Sequence, residues 1–397
     1  MNIAMLIPGV GSPGSPGSPG TYRDAWQIQA QQLAVALGSQ GHRVTIYTRR
    51  CRPGSTETVQ TGPGLAISSL PAGPPVGLST VDVRQHLGEF ADLLAGDWHS
   101  QPPQVVHAHT CLYGLVALLA ARQHHGVPVV QTLHGLCVDG SWLSANPSLG
   151  RSGRTAIERT VAGKSDAVIA QSATELSELV RLGVSRARIS TIPYGVDARR
   201  MSPDGPALAH PIQYRLTVLD PLTAQHGVDD VVTALATLPD TELIIAGGPP
   251  ASELDRDEDA GRIRRLAARI GVAHRVSLLG GIPSDRVPSL LRSSDAVVSV
   301  PWSHATGKVA LDAMACGVPV ICTRVGGMAD AVVDGITGLH VLPRRPDQLT
   351  RTTRRLLLDR CRRTGFAMAG RDRILSRYGW PRIASETFRL YERLSHA

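Results

Sequence analysis

An α/β protein built from two doubly wound, parallel-sheet halves is what this sequence predicts, on three observations. Short β-branched runs alternate with helical segments along the whole chain, the pattern of a parallel sheet covered on both faces. The chain has 397 residues, too many for one ordinary core. The set of strand candidates occurs twice, in stretches of about 200 residues each.

Taken in order, the strand candidates of the first half are Asn2 to Ile7, Arg43 to Thr48, Val105 to Ala108, Val127 to Thr132, Ala167 to Ala170 and Ile189 to Ile192. Met1 to Pro8 has no basic region and no small-residue cleavage site, so it reads as a buried first strand and not a signal peptide. Gly11 to Gly20 repeats Ser-Pro-Gly, where Pro and Gly together forbid helix and ladder; a helix is expected over Asp24 to Leu37. The repeat is either a plain surface connector or, as a loop after a strand's C-terminal end, a cover for a ligand crevice. In the second half the candidates are Tyr214 to Leu219, Glu242 to Ala246, Val276 to Leu279, Ala296 to Val300, Val318 to Thr323 and Leu339 to Leu342. The polar, Pro-rich Met201 to His210 reads as a linker. Apolar residues at helical spacing (Ile383, Phe388, Leu390, Tyr391, Leu394) mark a last helix over Trp380 to Leu394.

Composition narrows the function. The chain is 42% hydrophobic and lacks an apolar run of about 18 residues, so no membrane span is expected. Its net charge of +8 comes from arginines spread along the chain, with a mild cluster at Arg344 to Arg363 that reads as a solvated face. No nucleic-acid module, zinc spacing, catalytic triad or P-loop is visible. Gly9-Val-Gly11 is half a dinucleotide fingerprint, broken by the repeats that follow. The six cysteines, Cys51, Cys111, Cys137, Cys316, Cys322 and Cys361, show no ligand spacing and read as reduced core residues of a cytoplasmic protein.

The most informative stretch runs from Ser299 to Val320: a buried strand, the polar loop Pro301-Trp-Ser-His304-Ala-Thr, then a helix opening at about Gly307. A helix that begins just after a parallel strand presents free N–H groups and a positive dipole end, which suits a phosphate. His304 and Asp312 stand eight positions apart across that opening.

This stretch resembles the nucleotide-sugar segment of the retaining GT-B glycosyltransferases of glycosyltransferase family 4. There, two glutamates hold the positions of His304 and Asp312. Ile192-Pro-Tyr-Gly-Val-Asp197 resembles the family's Ile-Pro-Asn-Gly-Val-Asp, and His107-Ala-His109 and Thr132-Leu-His134-Gly135 resemble its two histidine signatures. The resemblance implies two Rossmann-like domains facing a central cleft: an acceptor domain over residues 1–200 joined by a crossover helix at 378–397, and a donor domain over 211–377. It implies that Gly307, Lys308 and Val309 meet the donor diphosphate, that Asp312 holds the ribose, and that His304 and His134 act at the donor sugar. His42 and His107 are expected to be structural, and Asp24 and His109 to face the acceptor.

Departures from the family are as clear as the matches. Its Gly-Arg-Leu-x-x-x-Lys-Gly corresponds to Asp220-Pro221-Leu222-Thr-Ala-Gln-His226-Gly227, so two cations are missing. Such charge clamps are commonly the largest catalytic contribution. Lys308, a protonated His226, or Arg324 of Arg324-Val-Gly-Gly327 are the replacements. Lys308 is either a direct phosphate contact or a first-turn side chain in water. The activity implied is transfer of a sugar from a nucleotide donor to a hydroxyl of a small acceptor, such as an aminocyclitol in antibiotic biosynthesis, with no metal or other cofactor. The alternative is a degenerate member that binds sugar nucleotide or a partner without turnover. Oligomeric state and the donor's base and sugar are not legible.

Overall fold

A computed structural model of the chain describes residues 1–9, 25–53, 58–78, 80–124, 126–136, 150–209 and 211–396. The chain divides into two compact units. One contains Trp26–Gly195 and Trp380–Ala397 with the N-terminal strand, and the other contains Val196–Gly379.

In the first domain the elements run β1 (Asn2–Leu6), α1 (Ala25–Ser39), β2 (Arg43–Arg49), β3 (Val59–Gly62), β4 (Leu65–Leu70), α2 (Thr80–Arg84), α3 (Leu87–Trp98), β5 (Val105–His109), α4 (Cys111–Gln123), β6 (Val129–Thr132), α5 (Gly150–Lys164), β7 (Ala167–Ala170), α6 (Ala173–Arg181) and β8 (Ile189–Thr191). The strand order is β3-β4-β2-β1-β5-β6-β7-β8, parallel except for the β3–β4 pair. The register runs Ile3↔Val105 on one side of β1 and Ile3↔Val44 on the other, so the sheet changes winding direction between β1 and β5. Strands β5, β6 and β7 are buried throughout, as their apolar runs require in a sheet covered on both faces.

In the second domain the elements run β9 (Tyr214–Val218), α7 (Val228–Leu235), β10 (Thr241–Ala246), α8 (Glu258–Arg269), β11 (Val276–Gly280), α9 (Val287–Arg292), β12 (Ala296–Ser299), α10 (Lys308–Ala315), β13 (Val320–Thr323), α11 (Gly326–Ala331), β14 (Gly338–Val341), α12 (Pro346–Leu358) and α13 (Arg360–Arg377). This sheet is wholly parallel, in the order β11-β10-β9-β12-β13-β14. Its winding reverses between β9 and β12, and in doubly wound sheets ligands collect beyond the strand ends at such a point. The loops that leave β9 and β12 hold Asp220, His226 and His304.

The last helix, α14 (Trp380–Ser395), belongs to the first domain. Ile383, Ala384, Leu390 and Tyr391 are buried in the cluster that holds Ile3, Met5, Val44 and Val130, with Phe388 and Leu394 packed against it. This is the crossover back to the N-terminal domain. His42 stacks on Phe388 with ring centroids 4.0 Å apart.

Two expectations need correction. The β3–β4 hairpin was not foreseen, because Val-Gln-Thr-Gly is short and polar; β3 is a fully exposed antiparallel edge, turned by Gly64 at φ 68°. Of the described cysteines, Cys316 and Cys322 are core residues, but Cys51 and Cys361 are exposed. Apolar neighbours in sequence do not decide which face of a helix or strand end a cysteine occupies. Cys137, Asp24 and the Ser-Pro-Gly repeat lie outside the described residues.

Candidate functional site

The first domain gathers three histidines, His107, His109 and His134, at the C-terminal ends of β5 and β6. His107 and His109 are two apart on β5 and share one face, and β6 pairs with β5 so that His109 lies beside Thr132. The chain then turns sharply, with His134 at φ 56° and Gly135 at φ 101°. This brings His134 Nε2 to 2.8 Å from His109 Nδ1. His134 Nδ1 stands 3.3 Å from the Tyr194 hydroxyl, and Trp26 lies against the same ring at 5.3 Å. His107 is bonded at Nδ1 to the Tyr391 hydroxyl, 2.6 Å, and at Nε2 to Thr132 Oγ1, 2.8 Å. A cavity of about 30 Å³ lies among these side chains, large enough for a water molecule, and His109, which lines it, has an Nε2 that is buried with no partner among the described residues.

Burial decides the charge of this group. It lowers the pKa of His107 to about 3, with His134 adding to the effect. It lowers His134 to about 3 as well, against a smaller opposing effect of a hydrogen bond to the Gln171 side chain. His109 is held well below its usual value by burial and by its two histidine neighbours. All three are neutral near pH 7. His107 is structural. The ring of His134 is only slightly exposed and both its nitrogens face partners of its own domain. His109, expected to face the acceptor, is 2% exposed and is a partner of His134.

In the second domain the stretch from Ser299 to Val320 forms a strand end, a loop and a helix, as its sequence suggests. Gly307 precedes α10 in the left-handed region at φ 79°. A Cβ there would stand 2.7 Å from the carbonyl oxygen of Gly327, so the site admits only glycine. Gly327 donates to the Ala305 carbonyl at 2.7 Å, and Thr323 Oγ1 donates to the Pro301 carbonyl at 2.7 Å. The loop before α10 is thus held by the ends of β13 and α11. His304 is half-buried in that loop, Val309 is buried on α10, and Arg324 is exposed at the end of β13.

Lys308 is not a first-turn side chain in water. It is buried, 9% exposed, and its ammonium binds both carboxylate oxygens of Asp312, which is wholly buried one turn further along α10. The signal was present in the sequence, since residues four apart on a helix are neighbours. His226 is biased towards its neutral form. Its Nδ1 is bonded to Thr223 Oγ1 at 2.7 Å, and burial lowers its pKa more than Asp259 and the Thr223 backbone raise it.

Two groups here were not singled out in the sequence as functional. Asp220, at the end of β9, is buried and its pKa is pushed up to about 6 by burial, with Ser299 nearby offsetting part of the shift. Neither Asp220 Oδ2 nor Ser299 Oγ has a hydrogen-bond partner among the described residues. Trp302 donates from Nε1 to Asp230 at 3.3 Å and from its backbone to Gln225 at 2.8 Å. The Arg344 guanidinium lies 4.0 Å over the Trp302 ring, from a backbone at φ 58°. The described residues include no group of three or more His, Cys, Asp or Glu arranged to hold a metal ion, and no helix long and apolar enough to cross a membrane.

With this geometry in view, the relatives define the class. Residues 27–195 match the family described as Glycosyl transferase 4-like domain, and residues 213–373 match Glycosyl transferases group 1. The chain belongs to the family 4 glycosyltransferases of GT-B architecture. It is 33% identical over 324 residues to proteins named D-inositol 3-phosphate glycosyltransferase from Mycobacterium bovis and Mycobacterium tuberculosis. That match covers 78% of this chain and 66% of the relatives, just under two thirds of their length. Sucrose-phosphate synthase from Thermosynechococcus elongatus shares the fold with a TM-score of 0.83, 24% identity and 99% coverage of both chains. Anabaena HepE in complex with UDP and glucose shares it with a TM-score of 0.72, 16% identity and complete coverage of both.

Proposed function

We propose that this chain moves a sugar from a nucleoside-diphosphate donor to a hydroxyl of a small acceptor, with retention of configuration. The observation that carries the reading is α10: it opens at a glycine beside the winding reversal of its sheet and holds a buried carboxylate one turn inside. The opening N–H groups suit the diphosphate and the Asp312 carboxylate suits two vicinal ribose hydroxyls. A neighbour solved with UDP and glucose, and with UDP-glucose, supports a nucleotide sugar as donor. The sugar's bond to the departing phosphate breaks and its bond to the acceptor oxygen forms on the same face. The acceptor's proton passes to the leaving phosphate oxygen, so the step needs neither a protein base nor a metal. Lys308, Arg324 and the α10 N–H groups supply positive charge, and His304 contacts the sugar hydroxyls.

The curated relatives are named for a phosphorylated cyclitol. A cyclitol, including an aminocyclitol of an antibiotic pathway in the cytoplasm, is accordingly the acceptor class proposed here, with Asp24 as a counter-charge. The test is incubation with UDP-, GDP- and ADP-sugars plus cyclitol and cyclitol-phosphate acceptors, reading nucleoside diphosphate release and product anomer by mass spectrometry and NMR. An α-linked product from an α-donor supports the reading, and an inverted anomer overturns retention.

A second reading has a specific observation in its favour. Lys308 is engaged with Asp312 and His226 is uncharged near neutrality, so a sugar-nucleotide-binding protein without turnover also fits. Nucleotide binding with no product from any donor and acceptor would select it.

A further inference from the structure

We infer that Lys308 and Asp312 are an exchangeable pair that makes nucleotide binding depend on the phosphates. This rests on the donor reading of α10 above and adds a specificity role for Lys308. Lys308 follows the helix-opening glycine directly, yet its ammonium is folded back along α10 onto both oxygens of Asp312. Those are the two oxygens that a vicinal diol needs. The pair is buried, so drawing the ammonium away from the carboxylate carries a desolvation cost unless other groups take both partners.

A nucleoside supplies the diol for Asp312 but nothing for the displaced ammonium. A nucleoside diphosphate supplies both: hydroxyls for the carboxylate and, at the helix opening one residue away, an anion within reach of a lysine side chain. One buried ion pair is exchanged for another. Apparent affinity falls by the fraction of protein that has the competent arrangement, and only a phosphorylated ligand restores that fraction. Lys308 therefore discriminates against nucleosides as well as meeting the diphosphate.

The experiment measures dissociation constants by ligand-observed NMR or calorimetry for uridine and UDP, then guanosine and GDP, adenosine and ADP. It uses the parent chain, Lys308→Met and Asp312→Asn. In Lys308→Met the diphosphate should bind about tenfold or more weakly, while the nucleoside binds as well as to the parent or better. In Asp312→Asn the preference should move the other way, with the nucleoside losing more than the diphosphate, because Lys308 is already released. Should either single variant fail to fold, Lys308→Met combined with Asp312→Asn, which strands neither charge, decides: its preference for diphosphate over nucleoside should fall about tenfold or more below the parent's, and an unchanged preference overturns the exchange. Equal factors for nucleoside and diphosphate in either folded variant overturn the exchange and leave the glycosyltransferase reading standing. A parent chain that binds none of the diphosphates overturns the donor reading and the exchange with it.

Discussion

The two domains solve one problem in opposite ways. Each is a doubly wound sheet with polar side chains beyond its strand ends, and each buries them. The first domain keeps three clustered histidines, His107, His109 and His134, neutral and bonds two of them to each other. The second keeps an ammonium and a carboxylate and joins them four residues apart on one helix. A neutral buried group is cheap until it must be charged, and a charged pair is cheap until it is parted. The first domain is therefore sensitive to acid, the second to loss of one partner.

The largest test is pH. Unfolded histidine takes up a proton near 6.5, whereas His107 and His134 do so only near 3 and His109 well below its usual value. Between these limits the unfolded state holds more protons, so stability falls as pH drops below 6.5. From pH 7.5 to 5 the imidazoles of His107 and His134 cost about 2 kcal/mol each, about 4 together, and His109 acts in the same direction. Domain-resolved hydrogen exchange at the two pH values should show the first domain losing protection first; simultaneous loss in both would break the contrast.

Next comes the second domain's pair. Asp312→Ala strands a buried ammonium and should cost about 3–5 kcal/mol in denaturant unfolding at pH 7, whereas Lys308→Met with Asp312→Leu should come close to the parent. A double variant as damaged as the single one would show that packing, not charge, holds this helix.

Asp220 sharpens the comparison, because its sign is opposite to that of the histidines. Its folded pKa of about 6 exceeds the ordinary 3.8, so the stability it contributes is present at low pH and lost as pH rises through 6. Asp220→Asn should gain about 1–3 kcal/mol at pH 7 and almost nothing at pH 4. A gain independent of pH would mean that charge is not the cause.

The smallest effect is expected at Arg344. Glycine there relieves a left-handed backbone but removes the guanidinium from the Trp302 ring. Each contribution is about 1 kcal/mol, so Arg344→Gly should change the unfolding midpoint little. A large loss would make the Arg344–Trp302 stack a main support of the loop before α10.

What could be read in advance follows from range. Strands such as Ala167–Ala170 and Tyr214–Val218 announce themselves because parallel strands buried on both faces need continuous apolar runs. The edge hairpin at β3 and β4 carries no such run. Gly307 and Asp312 were legible because glycine punctuation and helix position are local features. The histidine cluster was legible in part: the alternation of His107 and His109 places both on one face. Its partners Tyr194 and Tyr391 come from far along the chain, and only folding reveals them. The inward turn of His134 depends on a backbone conformation that its side chain does not advertise.

Helix α14 has a consequence in time. Its Tyr391 closes the core of the first domain and holds His107, yet between Gly195 and Trp380 the ribosome must make all of the second domain. At roughly 5–20 residues per second that interval lasts about 10–40 s. Throughout it, the apolar face built by Ile3, Val44 and Val130 waits without its cover. The domain that begins first is finished last.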